Sequence, residues 1–159
     1  MMDIFLQSLI SDASIPQNGY WRERPALVIC SNLNGKEEKI HTAKRWWEEL
    51  GYRFGEIHTG YSGAECSGGY IQASIVITLS SHTYGLAQTF MQINTKNKQI
   101  QAARIELSQR SLQKHRCITH ELGHGLGWSH SSEEMHLMYP IYELGGWEYF
   151  GLSFDQYKH

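Results

Sequence analysis

The segment HELGHGLGWSH at residues 120–130 combines three histidines and one glutamate at spacings that suit metal chemistry. On an α-helix, residues four apart are offset by about 40° and one turn, so His120 and His124 project from the same face and can bind one metal ion. Glu121 lies about 100° from His120, which makes it a poor ligand but lets it reach water in an open metal position. The spacing predicts a metal site with a base beside it.

The third histidine requires this helix to stop. In a continuous helix, His130 would lie about 9 Å beyond His124 along the axis, whereas zinc needs each nitrogen at about 2.0 Å. Gly127 is suited to turn the chain, because glycine accepts the left-handed backbone that ends helices. HExxH alone also fits an amphipathic helix with surface histidines, but the extension to HExxHxxGxxH favours zinc. Three imidazoles leave a fourth zinc position open, which is typical of catalytic sites, with Glu121 as general base.

Apolar periodicity predicts the elements that must position this motif. Asn34, three residues before Glu37, resembles a capping box at the start of an amphipathic helix that Gly51 ends. A second helix is expected to begin with Ser108 or Ser111 as its cap and to include the motif. The first 25 residues show little periodicity and are expected to be a tail or an extended lead-in. The predicted strands cover residues 26–31, 53–58, 73–80, 85–91 and 99–107.

Length and composition are those of one globular domain. The 159 residues are 41% hydrophobic and 19% charged, with a net charge of -2, which gives no reason to expect nucleic acid or an anionic membrane as partner. No apolar run approaches the roughly 18 residues of a membrane helix. Asp3 stands where a signal peptide carries positive charge. No transmembrane segment or signal peptide is therefore predicted, and the compartment stays open.

The three cysteines, Cys30, Cys66 and Cys117, allow at most one disulfide within the chain. Unpaired cysteine is among the residue types most often buried. We therefore expect Cys30 and Cys117 to be buried free thiols, with a single bridge as the alternative.

The motif, with Ser131 after the third histidine and HLMYPIY at residues 136–142, resembles the metzincin metalloproteases, and among them the matrixins. The resemblance implies that His120, His124 and His130 bind zinc and that Glu121 is the general base. It also implies that Met138 forms a Met-turn, the hydrophobic floor beneath the histidines. Pro140, Ile141 and Tyr142 would be the wall of the specificity pocket, and the following loop ELGGWEYFG would shape its depth.

A weaker resemblance extends over roughly residues 26–155. It implies an α/β fold in which a twisted, mostly parallel five-stranded sheet carries a backing helix and an active-site helix, above a small lower subdomain. Residues 26–127 would form the upper subdomain and 128–159 the lower one, after the tail at 1–25. The segment GLAQTF is similar to the edge strand along which an extended peptide substrate can pair. Its residues Gly85, Leu86, Ala87 and Gln88 would therefore contact substrate.

The chain departs from the matrixin pattern in three respects. Residues 73–105 contain no Asp or Glu and only His82, so we expect the structural zinc and calcium sites of matrixins to be missing. LSFD at 152–155 is similar to the start of the matrixin C-terminal helix, which we expect to be truncated. The cysteine switch of matrixin propeptides is also absent, although Asp3, Asp12 or a cysteine in a short leader remains an alternative way to block the metal.

These observations predict a monomeric zinc endopeptidase that acts on protein or peptide substrates with one catalytic zinc ion. The alternative from another class is a zinc-containing peptide-binding or structural protein with little turnover. An intact Glu121 argues against that alternative, because a binder needs no base beside zinc. A third interpretation keeps the enzyme but changes its substrate to a non-protein amide.

Overall fold

Six β-strands form one sheet in the described part of the structure, a computed structural model that describes residues 17–83 and 85–142. The strand order is β1-β6-β4-β2-β3, and β5 also pairs with β6. Every pair is parallel except β5 with β6, which is antiparallel. The strands are β1 (Tyr20–Trp21), β2 (Ala26–Cys30), β3 (Ile57–Tyr61), β4 (Ser74–Leu79), β5 (Ala87–Ile93) and β6 (Gln99–Leu107).

The pattern of burial explains which strands are central. The segments ALVIC in β2 and SIVITL in β4 are almost wholly buried, as expected for parallel strands covered on both faces. In β5 no residue is fully buried, and among the described strands β5 pairs with β6 alone. The predicted α/β fold with a mostly parallel sheet is confirmed, and β5 lies at an edge.

Two helices pack against one face of this sheet. Helix α1 (Glu37–Glu49) buries Ile40, Ala43 and Trp47, and helix α2 (Cys117–Gly125) carries the HExxH motif. The indole Nε1 of Trp47 donates to the carbonyl oxygen of Thr119 at 2.9 Å. This bond ties the backing helix to the helix that presents the histidines.

The beginnings of both helices differ from the prediction. Asn34 does not cap α1; instead Glu37 Oε1 accepts a hydrogen bond from the backbone N–H of Gly35 at 2.7 Å. Ser108 Oγ does accept a hydrogen bond from Ser111 N–H at 3.1 Å, but the element that begins at Ser111 is a short 3₁₀ turn, Ser111–Gln113, rather than α2. Arg116, with φ of 63°, then separates that turn from the helix. A serine that accepts a backbone N–H marks where a helical turn begins, but it does not distinguish a single 3₁₀ turn from an α-helix.

The sequence suggested a tail or an extended lead-in before residue 26, and the described part of this segment contains an extended strand. Tyr20 and Trp21 pair with the start of β6, and the side chain of Trp21 is buried in the core. Its indole Nε1 donates to the carbonyl oxygen of Gly125, the last residue of α2, at 2.7 Å. The sequence did not predict that this segment joins the sheet, because a two-residue strand is too short to show periodicity.

The expectation for Cys30 was wrong, because Cys30 forms a disulfide with Cys66. On the sheet face opposite the helices, Cys30 lies in a small apolar cluster with Val28 and Val76, and Cys66 packs against this cluster. Cys117 is a buried free thiol, as predicted. The pairing depends on the loop around Cys66 folding over this face, which the spacing of the cysteines does not reveal.

A buried arginine holds the same loop. The guanidinium of Arg104 donates to the backbone carbonyl oxygens of Glu65, Cys66 and Gly69 and forms an ion pair with Glu106, with Nε 2.7 Å from the carboxylate. Arg104 is 4% exposed. The loop is therefore secured by one covalent bond and one cation, and the sequence marks neither the pairing of Cys30 with Cys66 nor the role of Arg104.

Several predicted features lie outside the described residues. They are Asp3 and Asp12 of the leader, the loop ELGGWEYFG at 143–151 and the segment LSFD at 152–155. The strand expected at 53–58 begins four residues later, at Ile57. Within residues 17–83 and 85–142, no helix combines the length and apolar character needed to cross a membrane.

Candidate metal centre

Helix α2 and the turn after it bring three imidazole rings together. The Nε2 atom of His124 lies 3.1 Å from Nε2 of His120 and 3.2 Å from Nε2 of His130. Tetrahedral zinc with nitrogen ligands at 2.0–2.1 Å separates neighbouring nitrogens by about 3.3 Å. The three nitrogens, all within 4.8 Å of one another, therefore fit zinc in size.

A glycine turn directs the third histidine back to the helix. Leu126 is the C-cap of α2, and Gly127 follows with φ of 108°. Its N–H donates to the carbonyl of His124 at 2.9 Å, and the N–H of Trp128 donates to the carbonyl of Gly123 at 3.0 Å. These two bonds form a Schellman motif, which reverses the chain just after the helix.

The position of Gly127 also excludes a larger residue on steric grounds. A Cβ atom there would overlap the backbone carbonyl oxygen of Gly19 and come within 3.3 Å of Ile100 Cδ1. The close approach is held by a hydrogen bond of 2.7 Å from Asn18 N–H to the Gly127 carbonyl. The segment before β1 thus packs directly on the turn.

Two backbone carbonyls orient the helical imidazoles. Nδ1 of His120 lies 2.6 Å from the carbonyl oxygen of Leu137, and Nδ1 of His124 lies 2.7 Å from that of Trp128. Because a carbonyl oxygen only accepts, each Nδ1 carries the proton, which leaves the lone pair of a neutral ring on Nε2. Both lone pairs are thereby available to a metal ion.

The protonation state also suits metal binding. Burial lowers the pKa of His120 and of His124 to about 4, and burial also lowers the pKa of the more exposed His130. At neutral pH the rings are therefore uncharged, the form in which histidine binds metals. The fit to a metal ion rests on the geometry and protonation of these nitrogens.

Glu121 is held beside the three rings. Its Oε1 accepts a hydrogen bond of 2.7 Å from the hydroxyl of Thr89 in β5, and its Oε2 lies 3.9 Å from Nε2 of His120. Burial raises the pKa of Glu121, although His124 and the Thr89 hydroxyl oppose the shift. No sequence motif marks Thr89, since its role depends on β5 lying next to α2.

Beneath the histidines, Met138 fills the space that Gly123 leaves. Met138 is fully buried, and a Cβ at Gly123 would lie 2.7 Å from its Sδ. His136 stabilises the turn, because its Nδ1 accepts the N–H of Met138 at 3.0 Å. Met135, the other methionine in this segment, is 48% exposed. His136 belongs to this turn and not to the cluster of three rings.

Six of the seven remaining predicted site residues line one cavity, and Gln88 is not among them. Gly85 and Leu86 precede β5 rather than belonging to it, Ala87 opens the strand, and Gln88 pairs with Glu106 of β6. A cavity of about 580 Å³ opens beside His120, Glu121 and His130. Of the predicted residues, Gly85, Leu86, Ala87, Pro140, Ile141 and Tyr142 line it.

A histidine triad with a buried carboxylate beside it, on an α/β sheet with an antiparallel edge strand, is the arrangement of a zinc metallopeptidase. The family model described as matrixin matches residues 32–158, and the chain belongs to this family. Matrixins are zinc metallopeptidases, so the substrate class is protein or peptide. Comparison with curated proteins gives no match.

Proposed function

We propose that the chain is a zinc-dependent endopeptidase in which His120, His124 and His130 bind one zinc ion and Glu121 is the general base. The observation that carries this proposal is the convergence of three Nε2 atoms, 3.1 and 3.2 Å from one to the next, beside a buried carboxylate. A zinc ion bound there supplies Lewis-acid chemistry, which polarises a carbonyl group and makes water more acidic.

Glu121 moves the proton in this proposal. The Thr89 hydroxyl fixes Oε1, so Oε2 is the oxygen that faces the histidines and takes the proton from the attacking water. The same oxygen then delivers the proton to the nitrogen of the leaving amine. Because burial raises the pKa of Glu121 above its usual range, the carboxylate is a stronger base than one on the surface.

Met138 and Gly127 position the ligands. The side chain of Met138 packs under Gly123, between the two helical histidines, and forms the floor of the site. The left-handed turn at Gly127 returns the chain so that His130 completes the triad. Neither residue touches the substrate in this proposal.

The substrate binds as an extended peptide along β5. An antiparallel segment beside β5 would place its scissile carbonyl over the histidines, with Ala87 and Gln88 supplying backbone hydrogen bonds. The side chain that follows the scissile bond enters the cavity between Gly85 and Leu86 on one side and the wall formed by Pro140, Ile141 and Tyr142 on the other.

The chain acts as a single, monomeric catalytic domain in this proposal. The disulfide between Cys30 and Cys66 supports an oxidising compartment, because such bonds persist mainly outside the reducing cytosol.

The test compares the wild type with Glu121→Gln, which keeps the shape of the side chain and removes the base. Both proteins are incubated with a mixed peptide library, cleavage is mapped by mass spectrometry, and zinc is quantified in the same samples. We expect one zinc ion in each and cleavage by the wild type only, with activity reduced by at least roughly 100-fold in the variant. No cleavage by a zinc-loaded wild type would instead support the binding-protein alternative.

A further inference from the structure

Two large aromatic side chains meet in the core behind the candidate metal centre. Tyr52, which follows the end of α1, is fully buried, and Trp128, in the turn after α2, is 6% exposed. The indole Nε1 of Trp128 donates to the hydroxyl oxygen of Tyr52 at 2.7 Å, across 76 residues of sequence. Apolar side chains of similar size can fill a core equally well, so packing alone does not require this polar pair. The pair fixes one arrangement of the two side chains, because either polar group is costly to bury without its partner.

Trp128 is the residue whose backbone orients His124. Its carbonyl oxygen lies 2.7 Å from Nδ1 of His124, and its N–H donates to the carbonyl oxygen of Gly123 at 3.0 Å. The bond from its indole to Tyr52 is therefore a further point at which Trp128 is held. The carbonyl that accepts the imidazole proton keeps its position because the rest of the residue is bonded in this way.

His124 has the central place among the three rings. Its Nε2 lies 3.1 Å from Nε2 of His120 and 3.2 Å from Nε2 of His130, so a rotation of this ring changes its distance to both neighbours. His130 follows Trp128 by two residues in the same turn. A displacement of Trp128 therefore acts on two of the three candidate ligands.

The position of Tyr52 comes from α1. Its N–H donates to the carbonyl oxygen of Trp47 at 3.2 Å, and the rings of these two residues meet edge to face with their centres 5.2 Å apart. The indole of Trp47 donates to the carbonyl oxygen of Thr119, the residue before His120. The backing helix thus contacts the metal-binding segment on both sides of the HExxH motif, through Trp47 before it and through Tyr52 after it.

We propose that Tyr52 is a positioning residue of the metal centre: its hydroxyl fixes Trp128, and the Trp128 carbonyl then directs the Nε2 lone pair of His124 toward the metal. This inference rests on the zinc-binding part of the proposed function. Tyr52 acts through Trp128 and touches neither the zinc ion nor the substrate.

The experiment uses Tyr52→Phe, which removes the hydroxyl and keeps the ring that packs on Trp47. Zinc affinity is measured by competition with a chelator, under conditions in which urea unfolding shows the metal-free protein to be folded. The visible absorption spectrum of the Co²⁺-loaded protein reports the geometry of the ligands, since Co²⁺ binds to imidazole nitrogens as zinc does. We expect a changed spectrum and a zinc affinity roughly 3- to 10-fold lower, a smaller loss than for a residue that contacts a ligand directly.

Tyr61→Phe is the matched control. It also removes a tyrosine hydroxyl that is bonded to a side chain, that of Glu65, but Tyr61 lies in β3 and packs against the apolar cluster on the sheet face opposite the helices. Its zinc affinity and Co²⁺ spectrum should equal those of the wild type.

A double-mutant cycle assigns the effect to the bond between Tyr52 and Trp128. Trp128→Phe removes the other partner and should lower the zinc affinity by a similar factor. The double variant should lose no more than the larger of the two single losses, because both changes remove the same bond.

The outcomes separate this inference from the proposed function. A Tyr52→Phe protein that is less stable but keeps the zinc affinity and Co²⁺ spectrum of the wild type would overturn the inference and leave the proposed function intact. Losses that add fully in the double variant would also overturn it, since each residue would then act by a separate route. If Tyr52→Phe does not fold, Trp128→Phe decides by the same two measurements. A wild type that binds no zinc would overturn the proposed function and this inference with it.

Discussion

Replacing Gly127 by alanine tests how the turn after α2 builds the metal centre. Alanine at φ of 108° adopts a left-handed backbone, which costs about 1–2 kcal/mol for a residue with a Cβ atom. The new Cβ would also overlap the carbonyl oxygen of Gly19, so the segment before β1 must move. That movement weakens the hydrogen bonds from Asn18 N–H and Trp21 Nε1, each contributing about 1 kcal/mol.

The expected loss of stability for Gly127→Ala is therefore about 3–4 kcal/mol. The chain offers a matched control in Gly51, which ends α1 with the same Schellman pattern and φ of 106°. A Cβ at Gly51 meets nothing within 4 Å, so Gly51→Ala should lose only the backbone contribution of about 1–2 kcal/mol. The difference between the two variants measures the overlap alone.

Urea unfolding of the metal-free proteins, followed by tryptophan fluorescence, gives both free energies. Zinc affinity, measured by competition with a chelator, should fall roughly 10- to 100-fold in Gly127→Ala and stay unchanged in Gly51→Ala, because only the first turn positions His130. Equal losses of stability in the two variants, together with equal zinc affinities, would refute the proposed role of the Gly127 turn.

Three further predictions concern the loop, the histidines and the cysteines. Arg104→Met should lower the free energy of unfolding by about 3 kcal/mol, because Glu106 and three backbone carbonyls then lose the cation that they contact. The control Arg45→Met, at an exposed residue, should change the free energy of unfolding by less than about 0.5 kcal/mol. Equal effects of the two variants in urea unfolding would contradict the role of Arg104 in holding the loop. Zinc affinity should begin to fall only below the ordinary histidine pKa of 6.5, because burial lowers the pKa of His120 and of His124 to about 4 and also lowers the pKa of His130. Chelator competition between pH 4 and 7 would contradict this prediction if the loss began at or above pH 6.5. Burial raises the pKa of the Cys117 thiol to about 12, so an alkylating reagent at pH 8 should modify no cysteine of the native protein. After unfolding without reductant, the reagent should modify one cysteine, because Cys30 and Cys66 are bonded to each other. Three modified cysteines in the unfolded protein, detected by mass spectrometry, would rule out the disulfide.

Long central strands were predictable because a strand that is buried on both faces consists of a continuous run of apolar residues. The strand at 99–107 has the predicted bounds, the strand at 26–30 ends one residue earlier than predicted, and the strand at 74–79 is one residue shorter than predicted at each end. The stripe of Ile40, Ala43 and Trp47 is buried as helical spacing requires. Short elements have too few residues for such a pattern, so neither β1 nor the 3₁₀ turn before α2 was predicted.

For the candidate site, the sequence by itself determined which residues can meet: the spacing of His120, His124 and His130 suits a helix followed by a turn, and the structure brings these three histidines together. Local geometry explains this convergence, because four residues along a helix and a glycine after it fix relative positions without help from the rest of the chain. The tertiary structure alone decided which groups surround these residues. The groups that surround the site come from elements distant in sequence, and only packing brings them together. Examples are the Thr89 hydroxyl, which contacts Glu121, and the Gly19 carbonyl, which lies against Gly127. Arg110 and Arg116, which also line the cavity, lie beside a turn whose length the sequence does not predict.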